Sequence, residues 1–228
     1  MQVTSALLLF LSVGQISVEK TPVIDGAVAA VWLAFAVVVG VALERLLTEE
    51  AWKIASGYEG KIKETFYWLV LIIGITLAIR FLIGSYVHLH MTYWEVPTWR
   101  KVLGLFKDLI VLFAFGAFLV RMSFSDTREE FLRWILIFSV ADVLWSACEI
   151  MIRRGGPGEY IAWGWLVIGL IQFAVTALSW RFLQPQQGSP RNFNIFIFLA
   201  IVSLVMFGAD LWQILLGSGW TDFPSHPC

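Results

Sequence analysis

The chain has 228 residues, of which 59% are apolar and 14% are charged, and its formal net charge is -1. This composition is far more apolar than that of a soluble domain and indicates an integral membrane protein. The 16 lysines and arginines form no basic stripe that could neutralise a phosphate backbone. Nucleic acid is therefore excluded as a partner, and the lipid bilayer is the expected one.

The first apolar run, VTSALLLFLSVGQISV, has no lysine or arginine before it, so it lacks the basic start of a signal peptide. We interpret residues 1–26 as an interfacial or half-inserted segment, and a seventh span is the alternative. Residues 27–217 then form the transmembrane bundle, and residues 218–228 form a short C-terminal tail.

Six later runs are apolar over about the 20 residues that an α-helix needs to cross a bilayer. Turn-rich stretches such as GGPGEY and QPQQGSPRN separate the last three of them. The sequence therefore predicts an all-α bundle of six transmembrane helices. The predicted spans are 27–47, 65–86, 102–121, 131–152, 160–182 and 193–217.

The positive charges predict the orientation of the bundle. Nine lysines and arginines lie in connections 1–2, 3–4 and 5–6, against five at the other end of the spans. Because positive charge is enriched in cytoplasmic loops, both termini are predicted on the non-cytoplasmic side. In a bacterium the membrane would be the inner membrane.

The last three spans each carry polar side chains at helical spacing, which places them on one face of each helix. Because lipid offers no partner to a polar group, these faces should line the interior of the bundle. The stripes are Ser139, Asp142, Ser146 and Glu149 in the fourth span, Gln172 and Thr176 in the fifth, and Asp210 and Gln213 in the sixth.

Charged side chains also share a depth, when depth is counted at about 1.5 Å per residue from the span ends. Asp142 lies deeper, near the midplane, and no basic residue of another span is predicted at its depth. The shared layer consists of Arg80, Lys107, Asp108, Glu149 and Asp210.

Two interpretations of these groups stay open. The charges could neutralise one another and fix the packing of the helices, or they could line a hydrated path closed by apolar residues around Asp142. The second interpretation favours transport of a small cation or proton. The alternatives are a non-catalytic subunit of a larger membrane complex, or a homo-oligomer, and an enzyme acting on a lipid headgroup through Glu149, Asp210 and Arg80.

The remaining patterns are less specific. The chain has no GxSxG or HExxH motif, so no catalytic residue is assigned and enzymatic activity is not the favoured function. His88 and His90 point about 200° apart on a helix and are interpreted as interfacial residues, so neither a metal nor another cofactor is expected. The pairs WLVL and WLVI, and FGAFL and FGADL, hint at an inverted repeat of three plus three spans.

Overall fold

A computed structural model describes residues 22–93, 99–153, 159–184 and 188–219 of the chain. Six of its helices are long and apolar enough to cross a membrane, so the predicted six-helix all-α bundle is confirmed and the protein is a polytopic membrane protein. The predicted interfacial segment, up to residue 21, and the tail from residue 220 lie outside the described residues. The helices are α1 (Pro22–Arg45), α2 (Ala51–Ile54), α3 (Gly60–Tyr93), α4 (Trp99–Ser123), α5 (Arg128–Arg153), α6 (Glu159–Phe182) and α7 (Pro190–Gly219), with a π-helical turn, Leu46–Glu50, between α1 and α2.

Helix α3 holds the most interior position in the bundle. The six long helices form a closed ring in the order α1, α4, α5, α6, α7 and α3, and α3 also packs against α4. In the most apolar stretch of α3, 50% of the residues are buried, compared with 28% in each of the other five spans. Side chains on α3 therefore meet partners from several helices at once.

The two halves of the bundle pack differently. In the first half the outer two spanning helices, α1 and α4, lie against each other, whereas no comparable packing joins α5 and α7 in the described part of the second half. The inverted repeat therefore stays a prediction from sequence.

Local sequence determines where helices begin at one end of the bundle. We call it the Gly57 end, and it holds connections 55–59 and 124–127 and the described residues 183–184 and 188–189. The Thr127 hydroxyl accepts a hydrogen bond from the backbone N–H of Glu130 at 3.2 Å, which makes Thr127 the N-cap of α5. Helix α7 begins with Pro190, which lacks the N–H that would be unsatisfied in a first helical turn.

Arg128 joins two of the connections at the Gly57 end. Its Nε donates to the carbonyl of Ile54 at 3.1 Å, and its Nη2 donates to the carbonyl of Ser56. The guanidinium carbon lies 4.7 Å from the ring centre of Tyr58, whose hydroxyl donates to the carbonyl of Ser189 at 2.9 Å. Burial raises the pKa of Tyr58, against the opposing effect of the Arg128 charge, so this hydroxyl stays a hydrogen-bond donor at neutral pH.

Gly188 is the residue whose replacement should most disturb this end. Its φ of +75° lies in the left-handed region, and a Cβ atom there would lie 2.5 Å from the carbonyl oxygen of Gly57. We expect Gly188→Ala to lower the free energy of unfolding in detergent by about 2 kcal/mol or more, since the left-handed conformation alone costs about 1–2 kcal/mol. Gly208→Ala is the matched control, because a Cβ on that helical residue meets nothing within 4 Å. Equal stability of the two variants would contradict the prediction.

Candidate functional site

Arg80 on α3 and Asp210 on α7 form an ion pair in the interior of the bundle. The Nε of Arg80 donates to Oδ2 of Asp210 at 2.5 Å, and the two side chains are only 10% and 14% exposed. In an environment with little water, such a charge-assisted hydrogen bond is strong. Substitution of either partner would leave the other charge buried and unpaired, which is destabilising. The predicted charged layer therefore includes at least one direct ion pair between helices.

Helix α6 contributes the neutral polar side chains next to this pair. Nη1 of Arg80 donates to the amide oxygen of Gln172 at 3.4 Å, and the amide nitrogen of Gln172 donates to the hydroxyl of Thr176 at 3.3 Å. Gln172 and Thr176 are both buried. The amide group of Gln172 thus orients Arg80 without adding charge to the interior.

Asp142 on α5 faces the same interior space. The sequence placed no basic residue of another span at the depth of Asp142, whereas in the structure Arg80 and Asp210 line the same cavity as Asp142. Oδ2 of Asp142 lies 3.2 Å from the position that a Cβ on Gly169 would occupy, so the carboxylate packs directly against the backbone of α6. No hydrogen bond or ion pair within 4 Å holds Asp142 among the described residues.

The cavity that these groups share has a volume of about 60 Å³. A buried water needs about 10–15 Å³ by the same measure, so the cavity has room for a few water molecules. Its polar lining comes from four helices. These lining residues are Arg80 and Ser85 on α3, Ser139, Asp142, Ser146 and Glu149 on α5, Gln172 on α6 and Asp210 on α7.

Three aromatic side chains pack together beside the cavity. Phe81, Phe115 and Phe138 pack ring against ring, with centroids 4.2 to 5.2 Å apart, and each is at most 6% exposed. Phe81 and Phe138 also line the cavity. We call these three residues the aromatic floor. The lining of the cavity runs from Leu77 to Ser85 on α3 and from Phe138 to Glu149 on α5, so the cavity extends along only part of these helices.

A second polar cluster lies farther from the Gly57 end and centres on His88, which is fully buried. The interpretation of His88 as an interfacial residue did not anticipate this burial among the helices. Its Nε2 lies 2.9 Å from Oδ2 of Asp108 on α4, and its Nδ1 lies 3.6 Å from Oε2 of Glu149 on α5. The Lys107 ammonium contacts both carboxylates, at 3.1 Å from Asp108 and 3.5 Å from Glu149.

Trp145 lies between the two clusters and the aromatic floor. Its ring centre is 4.9 Å from that of His88, 5.9 Å from Phe81 and 5.7 Å from Phe115. The indole Nε1 is buried and has no hydrogen-bond partner among the described residues. Since Trp145 lines the cavity, a water molecule there is the natural acceptor for this N–H.

The residues predicted from sequence thus divide between two neighbouring clusters that Glu149 connects. Of the predicted group, the side chain of Gln213 lies outside the described residues. His88, Trp145 and Ser85 were not predicted. One signal does point to His88: it follows Arg80 by eight residues, about 80° around the helix, so both side chains lie on the same half of α3.

Comparisons of the chain with models of protein families, with curated proteins and with solved structures found no match.

Proposed function

We propose that this protein moves protons or a small monovalent cation across the membrane by way of the cavity formed by Arg80, Asp142 and Asp210. The observation that carries the proposal is the charge of that cavity. Three carboxylates line the cavity, and one of them, Glu149, contacts the Lys107 ammonium. The other two, Asp142 and Asp210, share the one guanidinium of Arg80, so one negative charge is in excess when both are ionised. An uncompensated charge in a membrane interior is costly, and a proton or a cation on Asp142 removes it.

The geometry also supports exchange of the bound ion. Arg80 has a direct bond to Asp210 and a longer-range attraction to Asp142. When Asp142 loses its proton or cation, its negative charge attracts the guanidinium; when Asp142 is neutral, Arg80 is held by Asp210 alone. Ion binding at Asp142 is thereby coupled to the position of a side chain on α3.

Water in the cavity provides the route on one side of Asp142. The side chains of Ser139, Ser146 and Glu149 lie on the same face of α5 as Asp142 and line the cavity with it, and Asp142 and Glu149 are separated by about 10 Å along the helix axis. On the other side the aromatic floor must separate for an ion to pass. The proposed cycle is therefore one in which the floor opens only transiently.

Flux measurements on Asp142→Asn test the proposal. Purified protein in liposomes, under an imposed membrane potential, should acidify a lumen that contains a pH dye or should carry Na⁺ or K⁺, which parallel ion-sensitive dyes detect. We expect Asp142→Asn to lower the initial rate by about a hundredfold, the lower range of what a positioned proton-transfer group contributes. The amide keeps the shape of the side chain but carries neither a negative charge nor a titratable proton.

Asp126→Asn is the matched control, because the Asp126 side chain is 70% exposed in the connection between α4 and α5. That variant should transport at the wild-type rate. An Asp142→Asn protein as active as the control would remove Asp142 from the mechanism. If the wild-type protein carries none of the three ions, the transport proposal fails, and the alternatives of a complex subunit or a lipid-headgroup enzyme take its place.

A further inference from the structure

The cluster around His88 has the composition of a metal site. One imidazole and two carboxylates converge from three different helices, α3, α4 and α5, and one candidate ligand atom from each lies within 4.8 Å of the others. The side chains of His88, Asp108 and Glu149 are 0%, 1% and 4% exposed. Burial to this degree restricts the rotamers, so the three groups are held close together, with the His88 ring between the two carboxylates.

Lys107 shows that a cation is stable beside both carboxylates. Its ammonium group contacts Oδ1 of Asp108 and Oε1 of Glu149, whereas His88 faces the other oxygen of each carboxylate. The Lys107 side chain is nevertheless 46% exposed, because its long stem reaches inward from the periphery of the bundle. A flexible side chain of this kind can swing out when a stronger cation binds between the carboxylates.

We propose that His88, Asp108 and Glu149 form a binding site for a divalent first-row metal ion such as Zn²⁺, which displaces the ammonium group of Lys107. Two carboxylates balance the charge of a divalent ion, and the nitrogen ligand favours such metals over Mg²⁺ and Ca²⁺, which prefer oxygen ligands. Tetrahedral ligands about 2.0–2.2 Å from zinc lie about 3.3–3.6 Å from one another. The three side chains reach that geometry by movements of about 1 Å.

This site is distinct from the ion path proposed above. Its ligands lie beside the cavity of Arg80 and Asp142, and only Glu149 lines that cavity as well. A bound metal would join α3, α4 and α5 at their ends away from the Gly57 end. Binding is measured on protein in detergent, without flux, so each proposal can fail without the other.

Co²⁺ absorption provides the test, since the visible bands of this ion report its ligands. Tag-free protein treated with a chelator should bind one equivalent of Co²⁺, and Zn²⁺ should displace it. His88→Gln and Glu149→Gln should each weaken Co²⁺ binding by about tenfold or more. Glu129→Gln, the same change at an exposed glutamate, should bind as the wild type does.

Lys107→Met provides a gain of function that misfolding cannot mimic. The substitution keeps an unbranched stem up to the ε position and removes the competing ammonium, so Co²⁺ should bind several-fold more tightly than to the wild type. The proposal is overturned if the wild type takes up no stoichiometric Co²⁺, if binding survives His88→Gln unchanged, or if Lys107→Met binds Co²⁺ no more tightly than the wild type.

Discussion

Arg80→Gln is expected to lower the free energy of unfolding by about 3–5 kcal/mol at neutral pH, the typical cost of removing one partner from a buried ion pair. The variant would leave Asp210 without the 2.5 Å bond from Nε and would leave Asp142 without the one positive charge that acts on it in the cavity. Unfolding by denaturant in detergent, followed by helix content, measures the difference. The deficit should shrink as the pH falls, because the two carboxylates can then take up protons in place of the guanidinium.

Two further variants separate this effect from simple loss of an arginine. Arg133→Gln removes an exposed arginine from α5 and should change stability by no more than about 0.5 kcal/mol. Adding Asp210→Asn to Arg80→Gln should recover part of the loss, since one of the stranded charges is removed with its partner. A deficit that does not change with pH, and that the second substitution does not reduce, would contradict the assignment of the buried pair.

The polar face of α5 could be predicted from sequence because it depends only on the geometry of one helix. Residues separated by three and four positions lie on one side of any α-helix, and Ser139, Asp142, Ser146 and Glu149 do line one cavity. The same argument correctly placed Gln172 and Thr176 in the interior. The apolar runs along the sequence were sufficient to predict the six spanning helices that the described part of the chain contains.

Contacts between helices could not be predicted in this way, because they depend on the order and rotation of the helices in the ring. The sequence argument compared His88 only with His90 on its own helix, whereas its partners Asp108 and Glu149 come from α4 and α5. Depth estimates failed for a related reason. Asp142 and Arg80 differed in estimated depth by about 6 Å, but a long arginine side chain spans such a difference.

The predicted helices were too short where polar residues extend a helix beyond its apolar run. The second span was predicted over 65–86, whereas α3 extends over Gly60–Tyr93. At about 1.5 Å per residue its 34 residues measure about 51 Å, well beyond the roughly 30 Å hydrocarbon core. Hydropathy identifies the apolar part of a helix, and here that part was predicted to end at residue 86. His88 lies two residues beyond that predicted end.

Removing a ring from the aromatic floor should have the second large effect. Phe138 packs edge to face against Phe81 and Phe115 and is only 4% exposed. Phe138→Ala is expected to cost about 3–5 kcal/mol of unfolding free energy, as truncation of a buried phenylalanine usually does. In the proposed ion path the floor is the barrier to passage, so the same change should raise the rate of passive ion leak in liposomes.

Phe198→Ala is the matched control for the floor, since Phe198 lies on α7 with 53% of its surface exposed and its loss opens no internal space. Stability and leak should both stay close to the wild-type values in that variant. A destabilised Phe138→Ala protein without increased leak would assign the floor a packing role only. The double variant Phe138→Ala/Asp142→Asn separates the two roles further. If Asp142→Asn abolishes the increased leak, the floor is the barrier on the path through Asp142, because the two residues then act in series.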